Sequence, residues 1–225
     1  MLNSEQNSNL QSSPNIDFNS EAFLDFFAKA NIAGNSTEDL IVWYNHVRDH
    51  FLYDPYHLDI RPESLVVSKI VAKRRAWCVE KALVFVAGCR QIGFPARLGF
   101  GIVQNHIGVD KLEEYLKRKE IVFHGYAEVF VNDNWVKCTP AFDKRVCAIN
   151  KLMPLEWNAK DDSLFQEFSG ENKFMEYLHF YGEFDEIPFE MMHQEMKRYY
   201  PHLFSTPVDT KTFSFHFSKE LAMSL

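Results

Sequence analysis

The feature that most constrains this chain is the run WCVEKALVFVAGCRQIGFPAR, residues 77–97. It is apolar without a break from Ala82 to Ala87, and it is stopped by Gly93 and Pro95. A helix that is apolar on most sides has no face to offer water, so it must lie inside the protein. The run therefore predicts a buried central helix with the other elements packed around it. With 225 residues, 46% of them hydrophobic, the chain can build such a core in one domain, or in one domain with a small annex.

The flanking segments divide by periodicity. STEDLIVWYNHVRDHFLYD opens with a Ser-x-x-Asp capping pattern, and Leu40, Trp43, Tyr44, Val47 and Phe51 recur at helical spacing. Beyond the central helix, LGFGIV reads as a strand, and the charged KLEEYLKRKE as an exposed helical excursion or loop. IVFHGYAEVFV alternates, with Ile121, Phe123, Ala127, Val129 and Val131 on one face and His124, Tyr126, Glu128 and Phe130 on the other. NDN and WVKCT complete a hairpin. Residues 1–17, rich in Asn, Ser and Gln, have little to bury and read as a mobile tail. The core is expected over 18–150. A helical extension is expected over 151–225, with PFEMMHQEMKRYY as its clearest helix.

Composition removes several classes of function. Thirty-one acidic residues against 24 basic ones give a formal charge of -7, which disfavours unspecific binding to nucleic acid or anionic membranes. No apolar window reaches the roughly 18 residues of a spanning helix, and the polar start lacks the pattern of a secretory signal, so a cytoplasmic protein is expected. Cys78, Cys89, Cys138 and Cys147 lack zinc-site or disulfide-framework spacing and are read as reduced thiols. The histidines show no metal-ligand spacing and there is no glycine-rich phosphate loop, so no cofactor or metal is expected.

A thiol attacks as thiolate, and a helix N-terminus or nearby cations lower its pKa. Cys78 falls in the first turn of the central helix, just after Lys73, Arg74 and Arg75, with Trp77 beside it to exclude water. Cys89 lies about 16 Å further along the same helix and is assigned to the core. A nucleophile also needs a base, and His124 is the candidate. Taken alone, a buried Cys and a strand His are more often packing residues than a catalytic pair.

Two blocks weigh against that bland reading. Trp77 to Arg97, a Cys, its helix and IGFPAR, resembles the transglutaminase-core signature that ends in an "lGiPAR" turn. HGYAEVFVNDNWVKCTP is similar to that family's His, aromatic, Glu, Val, aromatic strand followed by "gWv..DpT". With the Trp43 helix they cover roughly residues 36–145 in the family's order. The resemblance implies an α+β, papain-like fold, with a Cys78 helix packed on an antiparallel sheet bearing His124 and a helical annex behind.

It also implies Cys78 as nucleophile and His124 as base. Where the family places an Asp that orients the His, this chain has Thr139, which can accept an imidazole N–H but carries no charge. Asp143 is the substitute, because a tight turn at Asp133–Asn134 would pair position 143 with His124. The Cys78 backbone N–H is one oxyanion donor; Tyr53 could be a second, though a packed aromatic is the commoner fate. The expected chemistry is acyl transfer or hydrolysis on amide or peptide bonds of a protein or peptide substrate, which spans transglutaminase, deamidase and peptidase outcomes. The alternative is an inactive transglutaminase-like binding or scaffold module; a redox or metal-binding cysteine protein carries little weight.

Overall fold

The computed structural model describes residues 3–105, 110–164, 175–204 and 214–216. Its helices are α1 (Ser4–Ser8), α2 (Glu21–Ala28), α3 (Thr37–His50), α4 (Val67–Ile70), α5 (Cys78–Ile92), α6 (Asp110–Leu116), α7 (Lys144–Ile149) and α8 (Phe189–Tyr199). Its strands are β1 (Leu52–Tyr53), β2 (His57–Asp59), β3 (Arg75–Ala76), β4 (Ala96–Asn105), β5 (Glu120–Val131), β6 (Asn134–Cys138), β7 (Met175–Phe184) and β8 (Ser214–His216). The main sheet runs β6-β5-β4-β7, antiparallel throughout.

The central helix is as its composition requires. Every residue of α5 except Gln91 is buried, and Gly93 ends it in the left-handed conformation at φ 106°. Burial on all sides forces its polar members to find partners. Arg90 donates to the carbonyls of Ala96 (3.0 Å), Gln11 (2.7 Å) and Asp185 (2.8 Å). Lys81 Nζ donates to those of Arg48 (2.8 Å), Phe51 (3.1 Å) and Ala141 (2.6 Å). Trp43 of α3 packs on the same helix and donates its indole N–H to Phe85 O at 2.9 Å.

Three expectations change. The expected tail is ordered over its described residues: α1 is closed by an Asn3–Gln6 capping box, Ala96 N–H donates to Asn9 O, and Ile16 is fully buried. This segment is held by hydrogen bonds to polar residues and backbone, which a count of apolar residues does not register. The C-terminal part supplies a strand as well as a helix, since β7 pairs along β4 from Leu98↔Phe184 to Asn105↔Met175. And α6 is not merely exposed, because Leu112 and Leu116 are buried.

The hairpin register decides much about the site. Asn132 and Asp133, both at positive φ (49° and 63°), form its two-residue turn, and Val131 pairs with Asn134. The expected turn at Asp133–Asn134 is thus displaced by one residue and every partner by two. β6 ends at Cys138, opposite Ala127, so Asp143 is not paired with His124.

Candidate active site

α5 begins at Cys78 itself. Trp77 occupies the N-cap position, and Glu80 reaches back to accept the Trp77 backbone N–H at 3.2 Å. Because β6 stops at Cys138, the edge of β5 from Gly125 towards Glu120 is left unpaired by that strand. The helix start fits against this edge: the backbone N–H groups of Gly125, Val79 and Cys78 all approach the Cys78 sulfur. A Cβ on Gly125 would lie 2.8 Å from Val79 Cα, so only glycine permits the approach. Gly125→Ala is expected to push β5 off the helix start and to cost about 1–3 kcal/mol in urea unfolding.

His124 follows a break in the strand. Gly101 pairs with His124 but Val103 pairs with Ile121, so β5 carries one extra residue there, and Phe123 sits at φ 60°. A bulky residue in that conformation costs roughly 1–2 kcal/mol. Bulges of this kind re-aim the neighbouring side chain. The His124 ring is 1% exposed and stands edge-on to Tyr177 of β7, with centroids 5.8 Å apart. Among the described residues its Nε2 has no hydrogen-bond partner.

Electrostatics differ from expectation. Lys73 is engaged by Glu80 and Arg75 by Asp54, so two of the three cations expected to lower the Cys78 pKa are already paired. Burial dominates, pushing the Cys78 thiol up to about 11 against its three backbone donors. Burial alone pushes His124 down to about 4. At neutral pH the resting groups are therefore thiol and neutral imidazole.

The His124 shift makes a stability prediction. Its folded pKa lies below the ordinary 6.5, so the unfolded chain binds more protons between pH 6.5 and 4. The stabilisation is full above pH 6.5 and is lost as pH falls through about 4. His46, His50 and His193 shift in the same direction, also through burial. In urea unfolding at pH 7 and pH 4, His124→Gln should reduce the wild-type loss of stability by about 3 kcal/mol.

The two expected orienting residues have different fates. Asp143 caps α7, accepting the N–H groups of Arg145 (2.9 Å) and Val146 (3.2 Å), and its other oxygen accepts the Tyr53 N–H at 2.7 Å. It is a positioning residue for Tyr53, not a partner of His124. Continuing the β5–β6 register places Thr139 across from Tyr126, two residues from His124. Its backbone is tied to Tyr44 and Ser163, while its buried Oγ1 has no partner among the described residues.

Sequence reasoning set Tyr53 aside, yet the structure brings it to Cys78. Tyr53 pairs with Ala76 through β1 and β3, which brings its side chain into the same cleft wall as Cys78. Tyr177, on a strand read as part of a helical region, was missed for want of any local signal. The bulge did leave one: Ile121, Val122 and Phe123 are three apolar residues in succession, which breaks the period of two.

Cys78, Trp77, Tyr53 and Phe123 contribute to the wall of a narrow, partly enclosed cleft of about 30 Å³. His124 is not in that wall. The Trp77 indole N–H is buried without an acceptor among the described residues. Among those residues no group of three or more His, Cys, Asp or Glu could hold a metal ion, and no helix is long and apolar enough to cross a membrane.

A cysteine at the N-terminus of a buried helix, set against an antiparallel sheet that carries a histidine, defines an α+β fold of the papain-like kind. Residues 29–140 match the model of the transglutaminase-like superfamily and form a transglutaminase-like core in this chain. No curated protein matches the chain significantly. A 1.9 Å crystal structure of a candidate cysteine protease from Cytophaga hutchinsonii is similar at 15% identity and a TM-score of 0.49. The similarity covers 79% of this chain and 57% of that one, so the chain spans less than two thirds of that protein's length.

Proposed function

We propose that this chain is a cysteine enzyme acting on amide or peptide bonds, with Cys78 as nucleophile and His124 as general base and acid. The observation that carries the reading is the placement of Cys78 at the start of α5, its sulfur approached by the backbone N–H groups of Cys78, Val79 and Gly125, the last of which follows His124 in the chain. Those donors favour a thiolate. Burial penalises each charge singly, but moving the thiol proton to the imidazole creates a pair whose mutual attraction offsets that penalty.

In the reaction, the Cys78 sulfur bonds to the carbonyl carbon and its proton passes to His124. The C–N bond breaks, the leaving amine or ammonia takes that proton, and water or a second amine then resolves the thioester. The Cys78 N–H and the Trp77 indole N–H are the donors for the oxyanion. Thr139 Oγ1, which bonds no described residue in the resting structure, is the acceptor proposed to take an imidazole N–H once His124 is charged.

Mass spectrometry of a peptide library incubated with the protein and a primary amine separates the outcomes. Transfer replaces ammonia by the amine, deamidation adds about one mass unit, and cleavage adds water. No product beyond that of Cys78→Ala would overturn the reading. A second reading, an inactive binding module of the same fold, is favoured by the neutral state of both groups and by Thr139 standing where the family has Asp. It expects Cys78 to react like any buried thiol.

A further inference from the structure

We propose that the edge of β5 leading to Cys78 is the docking edge for the extended main chain of a peptide substrate, and that the Tyr200 hydroxyl occupies it in the resting protein. The inference rests on the reading of Cys78 as nucleophile and adds to it how the substrate's acyl side is held.

A strand edge presents peptide N–H and C=O groups that must find partners when buried. β4 runs along one side of β5 as far as Glu120, whereas β6 covers the other side only as far as Ala127. Among the described residues no strand pairs with the stretch that β6 leaves, and a side chain does a strand's work there. The Tyr200 hydroxyl accepts the Val122 N–H at 2.9 Å and donates to Glu120 O at 2.7 Å. It supplies the one donor and one acceptor that a paired residue of a neighbouring strand would supply. Three residues on, the Gly125 N–H approaches the Cys78 sulfur. Roughly 10 Å of strand thus joins the Tyr200 contact to the nucleophile, the reach of about three extended residues.

The resting cleft is too small for that peptide. It holds about 30 Å³, and Tyr200, Met196, Leu112 and Leu116 help to close it. Tyr200 is the group placed to give way: it follows the last residue of α8, whose buried anchors Met196 and Met192 lie one and two turns back. Its ring can leave β5 while both anchors stay packed. An incoming main chain restores the two hydrogen bonds that the hydroxyl gives up, so the exchange leaves no buried group unpaired. The Trp77 indole N–H fits the same occupant. It is buried in the cleft wall without an acceptor among the described residues, and a peptide brings carbonyl oxygens.

The test uses the full chain with acetyl-trialanyl chloromethyl ketone, its analogues in which one amide N–H is replaced by an ester oxygen, and iodoacetamide. In each case an S–C bond forms, chloride or iodide leaves, and the thiol proton passes to His124. The alanine probes confine the comparison to the main chain. Rates of Cys78 alkylation at pH 7 are read by peptide mapping, normalised to each probe's reaction with a free thiol. In wild type at least one ester analogue should react about fivefold or more slowly than the amide, the loss expected from one hydrogen bond. Tyr200→Phe keeps the ring and removes the competing hydroxyl. It should raise the ratio of the tripeptidyl rate to the iodoacetamide rate at least about fivefold. Equal wild-type rates for the amide and every ester analogue would overturn the docking edge, whether or not the variant folds. A ratio unchanged or lowered in a folded Tyr200→Phe protein would make the hydroxyl a structural clamp and overturn its place on that edge. Either failure, with an iodoacetamide rate that still depends on His124, falls on this inference alone. An iodoacetamide rate indifferent to His124→Ala would overturn the nucleophile reading, and this inference with it.

Discussion

Cys78→Ala is expected to lower amide-bond turnover by more than about 10⁴-fold, with a stability cost of only about 1 kcal/mol. The asymmetry follows from what the thiol does in each state. In the folded protein its sulfur is a small buried group at a helix start, and alanine retains the backbone that makes the capping contacts. In the reaction it supplies the only bond to the acyl carbon, and no neighbouring side chain can substitute, since Cys89 lies eleven residues on in the helix. Turnover in the variant within tenfold of wild type would remove Cys78 from the mechanism. A large loss of stability would mean that the activity measurement had reported unfolding.

Lys81→Met is expected to cost about 3–5 kcal/mol in urea unfolding at pH 6, the largest stability effect among the site-adjacent residues. Methionine retains the apolar stem but removes the three donors that Arg48, Phe51 and Ala141 carbonyls share. Each carbonyl left unpaired in the interior costs roughly 1–3 kcal/mol, partly recovered because a buried charge is also removed. Burial pushes the Lys81 ammonium down to about 7, with Asp143 and Asp49 opposing it, so at pH 6 all three protons are present. The lysine joins the end of α3 to the loop that carries Asp143, and Asp143 in turn fixes the Tyr53 backbone beside Cys78. Lys81→Met should therefore loosen the site along with the fold; a variant as stable as wild type would show that these bonds contribute nothing net.

Neither the lysine nor its partners is legible in the sequence. A lysine beside a glutamate, just before an apolar run, reads as a charge to be tolerated, and only the tertiary fold brings three carbonyls to it. By contrast, the α5 helix is written in Ala82–Ala87 and its stop in Gly93 and Pro95, because burial on all sides leaves no alternative composition. The places of Cys78 at a helix start and of His124 on a strand were legible through pattern: their blocks resemble a family's, and the structure brings helix start and strand together at Gly125.

The hairpin register opposite His124 was not legible. In NDN two adjacent turns are possible, both Asn and Asp tolerate positive φ, and choosing the wrong pair moves the opposite residue by two. The Phe123 bulge shifted the strand further in a way that propensity disfavours, as often happens beside functional groups. The charge environment of Cys78 also escaped the reading. Nearness in sequence to Lys73 and Arg75 suggested a lowered pKa, but Glu80 and Asp54 take those cations and burial prevails.

The most direct test of the central claim, that His124 draws the proton from Cys78, is the alkylation rate of Cys78 by iodoacetamide at pH 7 in wild type and in His124→Ala. The account predicts a fast wild-type rate that falls at least about 100-fold in the variant. A slow rate in both proteins, rising about tenfold per pH unit up to about pH 11, would show an inert buried thiol and contradict it.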